Sequence, residues 1–247
     1  MTHLGTLDYW AAHRWLKTTG RWTWLAWPLC CSLLLFPVYV WGVWAGSGAL
    51  TDHVLALWGG SPDGWHYWLL WPFIMLITLL LGYILLKNLI MLLCLPLNMR
   101  LADAVINEQL GDTAAQGWQG LSQSFGRTLS VTLLSLCMGL ISTVGLLLIG
   151  LIPVIGPIAA LVLGLIMQSF LAAWGFFDPV YERAHLGAWR SLGRSIRLTP
   201  TLVGSGLPFV LLFQIPILGW ALAPSYGTVA GALTASRLHQ QGRLLAP

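Results

Sequence analysis

Fifty consecutive residues, 128–177, contain no Asp, Glu, Lys or Arg, and Ile152-Pro153-Val154-Ile155-Gly156-Pro157 stands at their middle. The arms on either side, 128–152 and 158–177, are 25 and 20 residues long. At about 1.5 Å per residue a helical arm of that length reaches across most or all of the roughly 30 Å of hydrocarbon in a bilayer. Two prolines and a glycine break the helix between the arms, so the pattern predicts a membrane hairpin. A second uncharged run, 198–236, repeats the design around Ile215-Pro216-Ile217-Leu218-Gly219. The likeness begins upstream, where Gly126-Arg127-Thr128-Leu129 is answered by Gly193-Arg194-Ser195-Ile196. Two related hairpins are expected, with Pro153, Gly156, Pro157, Pro216 and Gly219 as structural turn residues rather than ligands.

Composition agrees with a bilayer as solvent. Charged residues are 8% of the chain, against about 25% in soluble domains. Residues 22–51 and 64–86 are two further uncharged stretches, each long enough for a spanning helix. Many of the fifteen tryptophans, Trp22, Trp24, Trp27, Trp41, Trp44, Trp65, Trp68 and Trp71 among them, fall near the ends of apolar stretches, where amphipathic rings favour the headgroup level. The segment 1–21 is too polar for a secretory signal, and the run after it reads as a retained first helix. The four cysteines show no C-x-x-C spacing and no clustered histidine, which argues against a disulfide framework or a zinc site. A net charge of +4 comes from membrane-flanking residues and gives no support to nucleic-acid binding. No Ser-His-Asp set, H-E-x-x-H, Walker loop or dinucleotide fingerprint is present, so no catalytic residue, metal or cofactor is expected. Without an ATP-binding motif, any transport would be gradient-driven, channel-like or dependent on another subunit.

The basic residues obey a single orientation. Arg14, Lys17 and Arg21 precede the first apolar stretch, while the loop 46–65 carries Asp52 and Asp63 and no Lys or Arg. The positive-inside tendency then places both termini, the segment 99–120 and the segment 183–197 in the cytoplasm. Within 181–198 the spacing puts Arg183, Arg190, Arg194 and Arg197 on one helical face and Trp189, Leu192 and Ile196 opposite, which predicts an amphipathic interfacial helix whose arginines contact lipid headgroups. Asp178 and Glu182 are expected to pair with Arg183 or Arg190. Lys87 reads as a snorkelling residue, Asn88 and Asn98 as polar links between helices, and Gly42-x3-Gly46 and Gly227-x3-Gly231 as weak signals of close helix approach. Pro200, Pro208, Pro216 and Pro224 are expected to cut the second hairpin into short pieces that enter the bilayer only part of the way. The whole reads as one polytopic all-α membrane domain, 1–247. It has helix 1 at about 22–45, helix 2 at about 65–95 with a cytoplasmic extension to about 112, a hairpin at 128–177, an interfacial helix at 181–198 and a hairpin at 201–236.

Asn88-Leu89-Ile90, then Pro96-Leu97-Asn98 before an acidic helix, then Leu151-Ile152-Pro153-Val154-Ile155-Gly156-Pro157, Phe177-Asp178-Pro179-Val180-Tyr181, and finally Ile215-Pro216 and Ala223-Pro224 occur in that order. In this order and spacing the chain resembles, over roughly residues 7–237, the CysZ-type sulfate permease family, which shares its domain with the etoposide-induced membrane protein family. The resemblance implies an all-helical inner-membrane protein, assembled as a homo-oligomer, with spanning helices and partly penetrating hairpins, whose bacterial members feed sulfate to cysteine synthesis. It also implies an anion site in a Gly-Leu-Arg-Arg-like turn before the first long helix. Here that turn reads Thr19-Gly20-Arg21-Trp22-Thr23, with one arginine in place of two. Gly20 and Arg21, with the backbone N–H groups of Trp22 and Thr23, are therefore the expected anion-binding residues, on the premise that a helix amino terminus and one guanidinium suit a tetrahedral oxyanion. The competing expectation is a non-transporting membrane scaffold or lipid-associated protein of the same family.

Overall fold

The computed structural model describes residues 4–57, 59, 64–111 and 118–244, and every regular element among them is helical. In chain order these are α1 (Leu4–Thr18), a five-residue 3-10 turn (Arg21–Leu25), α2 (Ala26–Leu57), α3 (Trp65–Leu93), α4 (Leu95–Leu110), α5 (Trp118–Gly150), α6 (Ile155–Arg183), α7 (Ala188–Arg197), α8 (Thr199–Phe213) and α9 (Leu218–Gln240). Four are long and apolar enough to cross a membrane: α2 with its preceding turn, α3, the part of α5 from Gly126 to Gly150, and α6. By contrast α8, with 15 residues, is about 22 Å long and falls short of a full crossing.

The two hairpins share one turn geometry. Val154 sits at φ 68°, ψ −57° and Ile217 at φ 63°, ψ −64°. The Ile155 N–H donates to Pro153 O at 2.8 Å and the Leu218 N–H to Pro216 O at 2.7 Å. Each motif thus makes a γ-turn of the rare positive-φ kind, centred on a β-branched residue that disfavours it. Gly156 and Gly219 follow because the next helix starts against the last: a Cβ at Gly156 would lie 2.3 Å from Ile149 O, and one at Gly219 would lie 1.9 Å from Leu212 O. Pro157 falls in the first turn of α6, where its missing N–H has no intrahelical partner to lose. Val154 is 81% exposed, so Val154→Gly forfeits little packing while releasing backbone strain. It is expected to raise stability by about 1 kcal/mol after the entropic penalty of glycine. Thermal unfolding in detergent reads this directly, and a lowered midpoint would show that the turn is not strained.

The core is organised around α9. Small residues at Gly219, Ala223, Gly227, Ala230, Gly231, Ala232, Ala235 and Ser236 let α1, α2, α4, α6 and α8 approach it. Gly227 and Gly231 meet Phe176, where an added Cβ would fall within 2.5 and 2.4 Å of the ring or its Cβ. The glycine pair at 227 and 231 therefore marks a real crossing, whereas Gly42 has nothing near it and Gly46 only Thr78 at 3.8 Å. Pro208 and Pro224 lie inside α8 and α9 without ending them. The expected fragmentation of the second hairpin at every proline does not occur, because neighbouring helices hold the chain where one backbone bond is lost.

One other expectation changes. The segment after α3 is a separate helix, α4, which buries Leu95, Asn98, Met99, Leu101, Ala102, Val105 and Ile106 and packs chiefly on α9, in place of a solvated extension. The polar N-terminal segment forms α1 and joins the core. Asp8, 1% exposed, pairs with Arg237 at 2.6 Å and accepts a 2.6 Å bond from Thr234. The Tyr9 hydroxyl donates to Ser205 O at 3.1 Å, and burial pushes its pKa well above the ordinary tyrosine value, so the donor keeps its proton at every physiological pH. Trp15 Nε1 donates to Glu108 at 2.6 Å. The Asp8 contacts tie the two ends of the described chain together, and the others fix α1 to α8 and α4.

Candidate anion site and the polar end of the bundle

The turn expected to hold the anion begins at Gly20, whose φ of 68° reverses the chain out of α1 and suits glycine. The α-helix, however, starts only at Ala26. Trp22 and Thr23 therefore belong to a single 3-10 turn, and the amino-terminal helix field expected at Gly20 lies several residues further on, because a macrodipole effect fades within about one turn of the helix end. What the turn supplies is a positioned cation. The Arg21 guanidinium lies 5.0 Å from the Trp15 ring centroid and 5.5 Å from that of Trp24, and its Nη1 is buried with no hydrogen-bond partner. Stacking fixes the plane, while a buried donor without an acceptor asks for one. Trp22 is held edge-on to His13 at 5.3 Å and to Tyr226 at 6.3 Å, and His13 Nδ1 and the Tyr226 hydroxyl are 2.8 Å apart.

Beside the turn lies a groove of ≈ 400 Å³ lined by Thr23, Trp24, Trp27, Pro96, Leu97 and Arg100. Trp24 is shared: one cation, Arg21, stacks on its ring, and a second, Arg100 from α4, lines the same groove. Arg100 was not among the expected site residues. It is separated from Arg21 by two whole helices in sequence, and only the fold of α4 back along the α2 start brings it near. The only local signal was a lone arginine following a proline within an apolar segment.

The four arginines expected on one interfacial helix part company. Arg183 ends α6 rather than joining α7, and it pairs with Asp103 of α4 at 2.9 Å. Arg190, Arg194 and Arg197 do lie on α7 and line a groove of ≈ 520 Å³ with Leu186 and Gly193. Of the apolar residues opposite, Leu192 is buried in the protein, while Trp189 and Ile196 are 72% and 59% exposed, so α7 shows three faces: one to the core, one basic and one apolar and open. Asp178 is not paired with Arg183 or Arg190 either. It is fully buried and makes two bonds with Arg127, Oδ1 to Nη2 at 2.8 Å and Oδ2 to Nε at 3.1 Å. Arg127 also donates to Leu186 O. The reason is hairpin geometry: positions 127 and 178 are equidistant from the turn near 153, so antiparallel packing of α5 on α6 sets them opposite one another. That symmetry was a usable signal.

Lys87 and Asn88 lie on α3 with side chains outside the described set; the loop expected at 46–65 is instead helical in α2 as far as Leu57, with Asp52 on that helix, and Asp63 lies outside the described residues. Among the described residues no group of His, Cys, Asp and Glu is arranged to hold a metal ion. A sequence model described as sulfate transporter CysZ/etoposide-induced protein 2.4 matches residues 8–224. No curated protein matches the chain.

Proposed function

Because the chain belongs to the sulfate transporter CysZ/etoposide-induced protein 2.4 family, we propose that it is a membrane permease for a small inorganic oxyanion, with sulfate for cysteine synthesis as the substrate. The observation that carries the site is the Arg21 guanidinium, stacked between two tryptophans with an orphaned Nη1. An oxyanion supplies the missing acceptor and a charge-assisted bond. Gly20 sets the turn, and the early N–H groups of Trp22 and Thr23 are co-donors. In this proposal the protein sits in a bacterial inner membrane as a homo-oligomer, with both termini cytoplasmic. Arg190, Arg194 and Arg197 then face lipid phosphates at the headgroup level.

Arg21→Ala is expected to abolish the salt-sensitive, saturable sulfate binding of the detergent-purified protein, while Arg197→Ala leaves it within about twofold. Binding to the wild type should weaken steeply with salt, since partly exposed charges are screened over about 10 Å at 0.1 M ionic strength. Isothermal titration at low and high salt measures both. Wild-type protein with no saturable oxyanion binding at low salt, or Arg21→Ala that binds as well as wild type, removes the site. Absence of sulfate uptake into proteoliposomes by folded wild-type protein would favour the scaffold reading.

A further inference from the structure

Between α3, α4, α5, α6, α8 and α9 lies a partly open cavity of ≈ 100 Å³, several times the 10–15 Å³ or so that one water needs on this measure. Its walls are mostly aliphatic, yet Asn98, Thr128, Thr132, Ser135 and Thr228 all line it. Thr128, Thr132 and Ser135 recur at intervals of four and three on α5, which puts them on one helical face. Elsewhere on the same helix, hydroxyls bond back to the backbone one turn earlier: Ser130 to Gly126 O, Ser142 to Met138 O and Thr143 to Gly139 O. The three on the cavity face make no such bond, nor does Thr228, and the Asn98 Oδ1 is buried without a partner. Asn98 itself is 7% exposed. A buried amide oxygen without a partner is expensive in an apolar bundle, and four hydroxyls on the walls of the same space point to an occupant that completes them.

The chemistry narrows that occupant. Four hydroxyls and the Asn98 carboxamide, whose N and O can exchange places by rotation, offer up to six donor hydrogens, and Gln168 brings a second carboxamide to the wall. No carboxylate lines the cavity, so nothing there repels an anion, and no Lys or Arg lines it, so nothing there traps one. Neutral donors of this kind hold an oxyanion weakly enough to release it, as passage through a membrane protein requires. The lining residues on α5 run from Thr128 to Gly139, a length of about 16 Å or half the hydrocarbon thickness, starting beside the Arg127–Asp178 pair. We propose that this cavity is a water-accessible intramembrane chamber that takes the oxyanion through the Asn98 carboxamide and the hydroxyls of Thr128, Thr132, Ser135 and Thr228. The identity of the anion rests on the permease reading above; the chamber itself rests on the polar wall and the unpartnered Asn98 amide.

The test uses full-length protein with its four cysteines replaced by alanine, then Thr132→Cys or Ser135→Cys, reconstituted in vesicles. Both thiols should react with a small charged methanethiosulfonate reagent, and sulfate should slow that reaction at least threefold, whereas chloride at equal ionic strength should not. In the native background, the near-isosteric pair Thr132→Val with Ser135→Ala should slow sulfate uptake about tenfold while leaving binding at the Arg21 turn unchanged. Thiols that stay unreactive, reaction that sulfate does not slow, or uptake unaltered by the double substitution in vesicles whose wild type transports would each overturn the chamber. If the wild type takes up no sulfate, the permease reading fails by itself, and labelling with sulfate protection still decides the chamber.

Discussion

Asp178→Asn is expected to destabilise the protein by about 3–5 kcal/mol, the range for breaking a buried ion pair from one side. Asp178 is fully buried, and the Arg127 side chain that it binds is 18% exposed. The asparagine keeps the shape but not the charge, so the guanidinium remains in the bundle with only the Leu186 carbonyl as a strong acceptor. Three segments loosen together, because this cluster joins the start of α5, the end of α6 and the loop before α7. Replacing both partners, Arg127→Leu with Asp178→Leu, should recover most of the loss, since an apolar pair has no charge left to compensate. Unfolding titrations in mixed micelles measure both variants. A loss below about 1 kcal/mol for Asp178→Asn would mean that the pair is solvated and that the hairpin ends are held by something else.

Gly219→Ala and Gly206→Ala should be at least as damaging, and for a steric reason. A Cβ at Gly219 would sit 1.9 Å from Leu212 O, and one at Gly206 would sit 1.9 Å from Ser169 O. Backbone atoms cannot swing aside as a side chain can, so helices must part, which takes the penalty to or beyond the upper end of the usual 1–3 kcal/mol or so for overpacking. Gly42→Ala is the matched control. It lies inside α2 with nothing within 4 Å, and the gain in helix propensity should make it neutral or stabilising by up to about 1 kcal/mol. Equal yields of folded protein from all three variants would show that the α6–α8 crossing and the second turn are looser than described.

The sequence alone determined what depends on neighbours along the chain. Absence of charge over 128–177 and 198–236 selects the bilayer, and the Pro and Gly positions select where each helix must break; the repeat of Ile-Pro and Gly is legible because a γ-turn involves only a few consecutive residues. The all-helical class follows from the same source, since a segment surrounded by lipid must satisfy its backbone internally. Only the tertiary structure decided which polar groups meet. Arg183 goes to Asp103 and Asp178 to Arg127, because side-chain partners are set by how helices pack and not by which charge is nearest in sequence. Prolines at 208 and 224 are absorbed for the same reason, their lost bonds being tolerated by packed neighbours. Likewise Arg100 reaches the groove beside Arg21, and Asn98 faces the hydroxyls of α5 and α9, only once α4 has folded back against the bundle. A one-dimensional pattern fixes solvent and breaks; the distances between helices come from the packing of small residues along α9, which no local period encodes.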